Sequence, residues 1–384
     1  MPITTPHAQL PAHVRMLLDL AALRPDPEAV ARCRELIDND EVDWSAFVDA
    51  AGRHKILPLV SKHINHHRLD RGGSGDGSQG VPYYWLYSYV YLANKARNAY
   101  IAEEFSRVLG ALDAAGVRHA VRKGFVLAEH AYHDIGSRRI NDLDVLVDRV
   151  DASAAHKVLL SLGYIQGKIS RDSDEVVPFD RETQIFWRAN LSNQLPYVKP
   201  GGREDVPVLN VDLCHSIFQR KSTAEVRTAD LLDRAVRMPL CGGEASALDP
   251  EDHLLDLCAH LHKEATGILF VKEGVDLQLS KFLDVAVTCA ARPAEAWPAF
   301  VERVKACGAQ EIVYYSLHFA AELFSDSVPA DVLGQLRPAD LSYLDAFGEF
   351  DGREQHWDLG FPERLFAFER RHAGGESAVP GVRA

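Results

Sequence analysis

The heptapeptide Asn141-Asp142-Leu143-Asp144-Val145-Leu146-Val147 constrains this chain more than any other stretch. It alternates and is rich in aliphatic residues, so it reads as a β-strand, whose successive side chains point to opposite faces. Leu143, Val145 and Val147 form an apolar row for one face, which places Asp142 and Asp144 side by side on the other. Two carboxylates that close repel each other unless a cation lies between them. A DxD pair alone is a weak signal, because two acids at the start of a strand also suit plain solvent exposure. The flanking pattern must supply the rest.

The segments around it switch between two periodicities. Residues 117–124 read as a strand ending in a Lys123-Gly124 turn, residues 125–134 as a helix, and residues 151–164 as another helix capped by Asp151 or Ser153. Arg181–Ala189 and Val206–Phe218 read as two further strands, with a polar, hairpin-like stretch at 190–205 between them. Strand, helix, strand, helix, strand, strand is the order of a compact α/β unit on a mixed sheet. Before it the pattern is helical, at 11–24, 26–37, 43–54, 57–66 and from Pro82 to about Ala115. Asp26-Pro27-Glu28 is a helix start, with Asp at the N-cap and Pro at the first helical position. Residues 70–82 hold five glycines and read as a flexible loop. From about Thr223 the pattern turns helical again, notably after Asp249-Pro250-Glu251. The expected organisation is an N-terminal helical arm (1–116), a core (117–217), a C-terminal helical domain (218–372) and a disordered tail (373–384).

Composition narrows the class of protein. With 384 residues, 47% hydrophobic and 25% charged, the chain is ordinary globular material. It has no apolar run of membrane-spanning length and no signal-peptide pattern at its start, so a cytoplasmic protein is expected. Six scattered cysteines without metal spacing read as buried free thiols. The net charge is −13, of which −10 falls on residues 218–384. Such a balance argues against DNA and tRNA as partners. The middle of the chain is close to neutral, which suits a small polyanionic ligand.

A third carboxylate, Asp212, lies on the later strand Val-Leu-Asn-Val-Asp-Leu-Cys. If that strand neighbours the first, Asp142, Asp144 and Asp212 form a triad of hard oxygen ligands suited to two Mg2+ ions and a phosphate-bearing substrate. Asp212 would then also accept the proton of an attacking group. Lys123-Gly124 sits where a strand turns into a helix; backbone N–H groups, a close approach at Gly and the Lys charge suit phosphate there, and so does an ordinary turn. Gly136-Ser137 resembles a phosphate loop, but Arg138 is the more useful residue, a fork donor for phosphate or carboxylate. Two features are set aside. The aromatic cluster Tyr83, Tyr84, Trp85, Tyr87, Tyr89 and Tyr91 is expected to pack between helices, and His63, His66 and His67 to be solvated.

Taken together, these residues resemble the uncharacterised-nucleotidyltransferase family of the DNA polymerase β-like superfamily. The likeness covers roughly residues 40–290. It rests on Trp44 with Ala50, Ala51, His54 and Pro58, on Lys123-Gly124, on Arg138 four residues before Asp142, on Asp142 to Val147, on Val211-Asp212-Leu213 and on Pro250 to His260. The resemblance implies an α+β fold with a polymerase β-like core between helical arms. It implies transfer of a nucleoside monophosphate from an NTP to a hydroxyl or phosphate of a small molecule or peptide, in natural-product biosynthesis or modification. Catalysis and metal binding would fall to Asp142, Asp144 and Asp212, nucleotide binding to Lys123, Gly124 and Arg138, and acceptor contact to His215 and Asp284. Cys214 displaces His215 by one position from the family pattern, which on a strand reverses its face. The rival readings are a toxin-like tRNA nucleotidyltransferase and a non-catalytic module that binds nucleotide or peptide.

Overall fold

A computed structural model describes residues 10–71, 80–170, 175–190, 193–220, 222–350, 353–357 and 360–366. Most of the loop expected at 70–82 and all of the tail expected at 373–384 lie outside the described residues. Helices α1 (Ala12–Ala21), α2 (Pro27–Asp38), α3 (Trp44–Arg53) and α4 (Leu57–His66) precede the 31-residue α5 (Tyr84–Ala114). The N-caps of α2 and α3 are made by side chains: Asp26 accepts from Ala29 N at 2.7 Å and Asp43 from Ala46 N at 3.0 Å. Next come β1 (His119–Arg122), α6 (Gly124–Val126) running into one π-helical turn (Leu127–Ala131), β2 (Asp142–Val147) and α7 (Ala152–Ser161). β3 (Ile165–Ile169), β4 (Val176–Pro178), α8 (Arg181–Asn190), β5 (Tyr197–Arg203) and β6 (Val206–Cys214) follow. Then come α9 (Thr228–Arg234), β7 (Val236–Leu240), β8 (Gly243–Ala247) and α10 (Pro250–Thr266). Beyond α10 lie α11 (Ile268–Glu273), α12 (Leu279–Ala290), α13 (Trp297–Ala306), α14 (Gln310–Leu323), α15 (Ala330–Leu336), the hairpin β9 (Ala346–Phe350) and β10 (Arg353–His356), and α16 (Phe361–Phe366).

The chain divides into two compact units. One comprises Leu92–Leu257 with Pro293–Ala309, the other Met1–Tyr91, Cys258–Arg292 and Gln310–Ala384. The first carries an eight-stranded sheet in the order β4-β3-β5-β6-β2-β1-β8-β7. β2 runs parallel to β6 and antiparallel to β1, and β1 runs parallel to β8, so the sheet is mixed and the protein is α+β. Its core joins the apolar face of α5 (Ile101, Phe105, Val108, Leu109, Leu112) to Leu143, Val145 and Val147 of β2 and to Val211 and Leu213 of β6. The apolar row expected behind the two acids is therefore the sheet's buried face.

Several expectations need correction. Arg181–Ala189 is helix rather than strand. Asp180 caps it by accepting from Thr183 N at 2.7 Å, and that local bond outweighs the β-propensity of Thr-Gln-Ile-Phe-Trp. The segment after Thr223 is not purely helical: β7 and β8 form a hairpin that extends the sheet beyond residue 217. Its turn, Cys241-Gly242, has positive φ at both residues (54° and 76°), the requirement of a tight two-residue hairpin, and only the second is glycine. The aromatic cluster is mostly uncovered. Tyr87 is buried, whereas Tyr83, Tyr84, Trp85 and Tyr89 are exposed, because rings spread around a helix cannot all face one packed side.

The second unit is mainly helical. His63 is buried on α4 among Leu59, Val60 and Ile64, not solvated as expected. Burial, with the charges of Lys62 and His67 adding to it, pushes its imidazole down to about 4. On α10 and α12, Glu264 bridges His260 at 3.0 Å and Lys281 at 2.5 Å. All six cysteines are free and buried. Among the described residues no helix is long and apolar enough to cross a membrane.

Candidate active site

Two parallel strands place the acids. Along β2–β6 the Cα partners are Asp142 with Asn210 and Asp144 with Asp212, so a carboxylate of each strand stands directly opposite one of the other. Each strand alternates half-buried polar with buried apolar positions, which sends all three acids to one face. Asp142, Asp144 and Asp212 each offer an oxygen within 4.8 Å of the others, and all three are half-buried. Among the described residues no other group of three or more His, Cys, Asp or Glu side chains could hold a metal. Hard carboxylate oxygens at this spacing fit a divalent cation such as Mg2+. The structure thus brings together the three acids named from sequence.

Lys123 reaches the same place by another route. β1 ends at Arg122, and Lys123 turns the chain with φ 46° and ψ −138°, a conformation that favours glycine. Its Nζ lies 3.0 Å from Asp144 Oδ2 and both side chains are largely buried. Burial works most strongly on the lysine and against its charge, but Asp144, Asp256 and Asp142 together outweigh it and the net shift is upward. Gly124 follows with φ 44°. The helix it opens has three α-helical residues, Gly124–Val126, and continues as the π-helical turn Leu127–Ala131.

The cation beside it is engaged elsewhere. Arg122, the Cα partner of Asp144 across β1–β2, makes a two-pronged bond to Asp256 of α10, with Nε 2.9 Å from Oδ2 and Nη2 on Oδ1. Both side chains are almost wholly buried. Burial alone would lower the guanidinium's affinity for its proton; Asp256 holds it charged and well above its ordinary value.

The loop before β2 is clamped from α5. Asn98 Nδ2 donates to the carbonyls of Ile135 (2.6 Å) and Arg138 (2.7 Å), and Asn94 Nδ2 to those of Gly136 (2.8 Å) and Arg138 (3.2 Å). Arg97, between them on the helix, donates to the carbonyl of Ile140 and, at 3.3 Å, to Asn141 Oδ1. Arg138 is half-buried, with its backbone fixed by both asparagines. Gly136-Ser137 is not open for a phosphate: Asp134 accepts from Gly136 N at 2.9 Å and from Ser137 Oγ at 2.8 Å. Reading the sequence strand by strand misses the clamp and the Arg122–Asp256 pair. The available signal was a polar stripe at 94, 97 and 98, three and four residues apart on one helix face.

Of the two residues expected at the acceptor, one belongs to the sheet's unit and the other does not. His215 lies just past β6. Its Nδ1 is 2.8 Å from the carbonyl of Val147 and its Nε2 3.3 Å from Gln194 Nε2, and burial lowers its pKa. Asp284 is buried on α12, in the unit that does not contain the sheet.

The chain is thus an α+β protein whose mixed sheet presents three clustered carboxylates at a spacing that a divalent cation fits. Residues 40–325 match the family model described as uncharacterised nucleotidyltransferase, and the chain belongs to that family. No curated protein matches it.

Proposed function

We propose that the protein is a Mg2+-dependent enzyme with a polymerase β-like core that moves a nucleoside monophosphate from an NTP to a hydroxyl or phosphate of a small molecule or peptide. The observation that carries this reading is the register of β2 on β6, which sets Asp144 against Asp212 beside Asp142 in a chain of nucleotidyltransferase family. Asp142, Asp144 and Asp212 would hold the metal, which when bound neutralises triphosphate charge and lowers the pKa of an attacking hydroxyl.

The chain's own residues do the remaining work. Asp212 accepts the acceptor's proton as its oxygen bonds to the α-phosphorus. The bond from that phosphorus to the β-phosphate oxygen breaks, and pyrophosphate leaves with the electron pair. Arg138 offers a forked donor to the phosphates, from a backbone that Asn94 and Asn98 keep in place. Positioning and charge balance supply most of the rate. The net charge of −13 favours a small or peptide acceptor over a nucleic acid.

The test is pyrophosphate release with Mg2+ and each NTP against a panel of hydroxyl, phosphate, peptide and tRNA acceptors. Turnover that needs Mg2+ and disappears in Asp142→Ala supports the reading. Full turnover in that variant, or none with any acceptor together with no metal-dependent nucleotide binding, removes it.

A further inference from the structure

We infer that the helical unit carries a binding site of its own, a cleft between α1 and α2 that takes a short peptide with free ends, its carboxylate toward Arg24 and its ammonium toward Glu35. The inference is independent of the nucleotidyl-transfer reading, because the cleft and the three acids of the sheet belong to different units.

Three observations lead to it. The first is the cavity. A cleft of about 600 Å3 opens between α1, α2 and the end of α14, all within one unit. That volume lies in the range of small-ligand sites. Arg15, Leu18 and Asp19 on α1, and Ala29, Arg32 and Leu36 on α2, follow helical spacing, so each helix gives the cleft one face. Leu18, Ala29 and Leu36 are buried and form an apolar floor. The second is charge. Three arginines and four carboxylates line the cleft. Arg15 Nη2 is 3.2 Å from Glu41 Oε2, Arg32 grips both oxygens of Asp19 at 2.5 and 3.2 Å, and Asp26 caps α2. Arg24 and Glu35 remain: both are exposed, and among the described residues neither side chain has an ion pair or hydrogen bond. One cation and one anion left over at the same cleft match a zwitterion. A nucleotide fits it poorly, because its triphosphate would meet the four carboxylates. The third is spacing. Arg24 stands just before the N-cap of α2, Asp26, and Glu35 lies nine residues beyond that cap. At 1.5 Å per residue the helix puts about 13 Å between cap and Glu35. An extended peptide of four residues spans about 13 Å. Its side chains would fill the apolar floor, which a bare methylene chain of equal length would leave partly empty.

Calorimetry on the full chain with the synthetic peptide Ala-Leu-Leu-Ala tests this. The free-ended peptide should bind with a Kd of about 1 mM or below. N-acetylation or C-amidation should each weaken it about fivefold, the worth of one exposed ion pair. Arg24→Gln should weaken the free peptide as much as amidation does, and amidation should then cost nothing further. Glu35→Gln should stand in the same relation to acetylation. Both side chains are exposed, so these variants keep the fold. 11-Aminoundecanoate, a zwitterion of similar span without side chains, should bind more weakly than the peptide. The assignment is overturned by no binding of the peptide at about 5 mM, by equal affinity for the doubly blocked peptide, by end-blocking that costs the variants as much as the wild type, or by aminoundecanoate binding as tightly. Pyrophosphate release is read at the acids of the sheet, so none of these results touches the nucleotidyl-transfer reading.

Discussion

Asp144 stands directly opposite Asp212 across the parallel pair β2–β6. The two strands are far apart in sequence, so only the sheet's topology joins the acids. A slip of one residue in that register would turn either acid toward the apolar core that holds Leu143 and Val211. Like charges this close repel each other, and Lys123 beside Asp144 offsets only part of that cost. Asp212→Asn and Asp142→Asn should therefore leave the melting temperature of the metal-free protein unchanged or raised. The same variants should lower pyrophosphate release by at least about 10²-fold. Differential scanning fluorimetry without metal and a release assay with it measure the two effects; a variant that melts early and keeps its rate would contradict both.

Arg122 and Asp256 should behave in the opposite way. Each is almost wholly buried and each is the other's partner, so removing one strands a charge. Arg122→Ala or Asp256→Ala should cost about 3–5 kcal/mol in urea denaturation. The double variant Arg122→Met with Asp256→Leu should recover much of that loss, because a well-packed apolar pair also satisfies a buried site. A loss in the double variant equal to the sum of the two single losses would show that the pair contributes no specific coupling.

Asn98 should link stability to activity. It is fully buried, and its one amide nitrogen serves two carbonyls of the loop that leads into Asp142. Asn98→Ala takes this donor from the Ile135 carbonyl and leaves that of Arg138 to Asn94, and should cost about 1–3 kcal/mol. The loop carries Arg138, so the nucleotide's KM should rise more than kcat falls. Steady-state kinetics on the variant, at a temperature where it remains folded, separates these: a drop in kcat with KM unchanged would place Asn98 elsewhere in the reaction.

How much of this was legible in the sequence follows from the kind of signal involved. The strand of Asp142 and Asp144 and its buried face were readable because alternation is a local property. Asp212 could be nominated by its residue type, but its pairing with Asp144 depends on strand order, which no local pattern encodes. Arg181–Ala189 misled because its β-formers were weighed without the Asp180 cap before them. The β7–β8 hairpin was missed because its turn places Cys241, a residue with no turn preference, at positive φ. Arg122 and Asp256 are 134 residues apart, and nothing in either neighbourhood names the other.

Acid should loosen the helical unit through histidines that refuse protons. Burial pushes His63 from its ordinary 6.5 to about 4, and burial does the same to His262. Between those values the unfolded chain takes up protons that the folded chain does not. Stability contributed by neutral burial is then present above about pH 6.5 and is lost as the pH falls toward 4. The loss should be on the order of 1–3 kcal/mol for each histidine. Urea midpoints measured from pH 7.5 to 4.5 should therefore decline in the wild type. In His63→Leu, where the position keeps its apolar neighbours Leu59, Val60 and Ile64 but has nothing to protonate, the decline should be shallower. Adding His262→Phe, which retains a ring against Tyr315, should flatten it further. An unchanged slope in the double variant would mean that the acid sensitivity arises from the carboxylates instead.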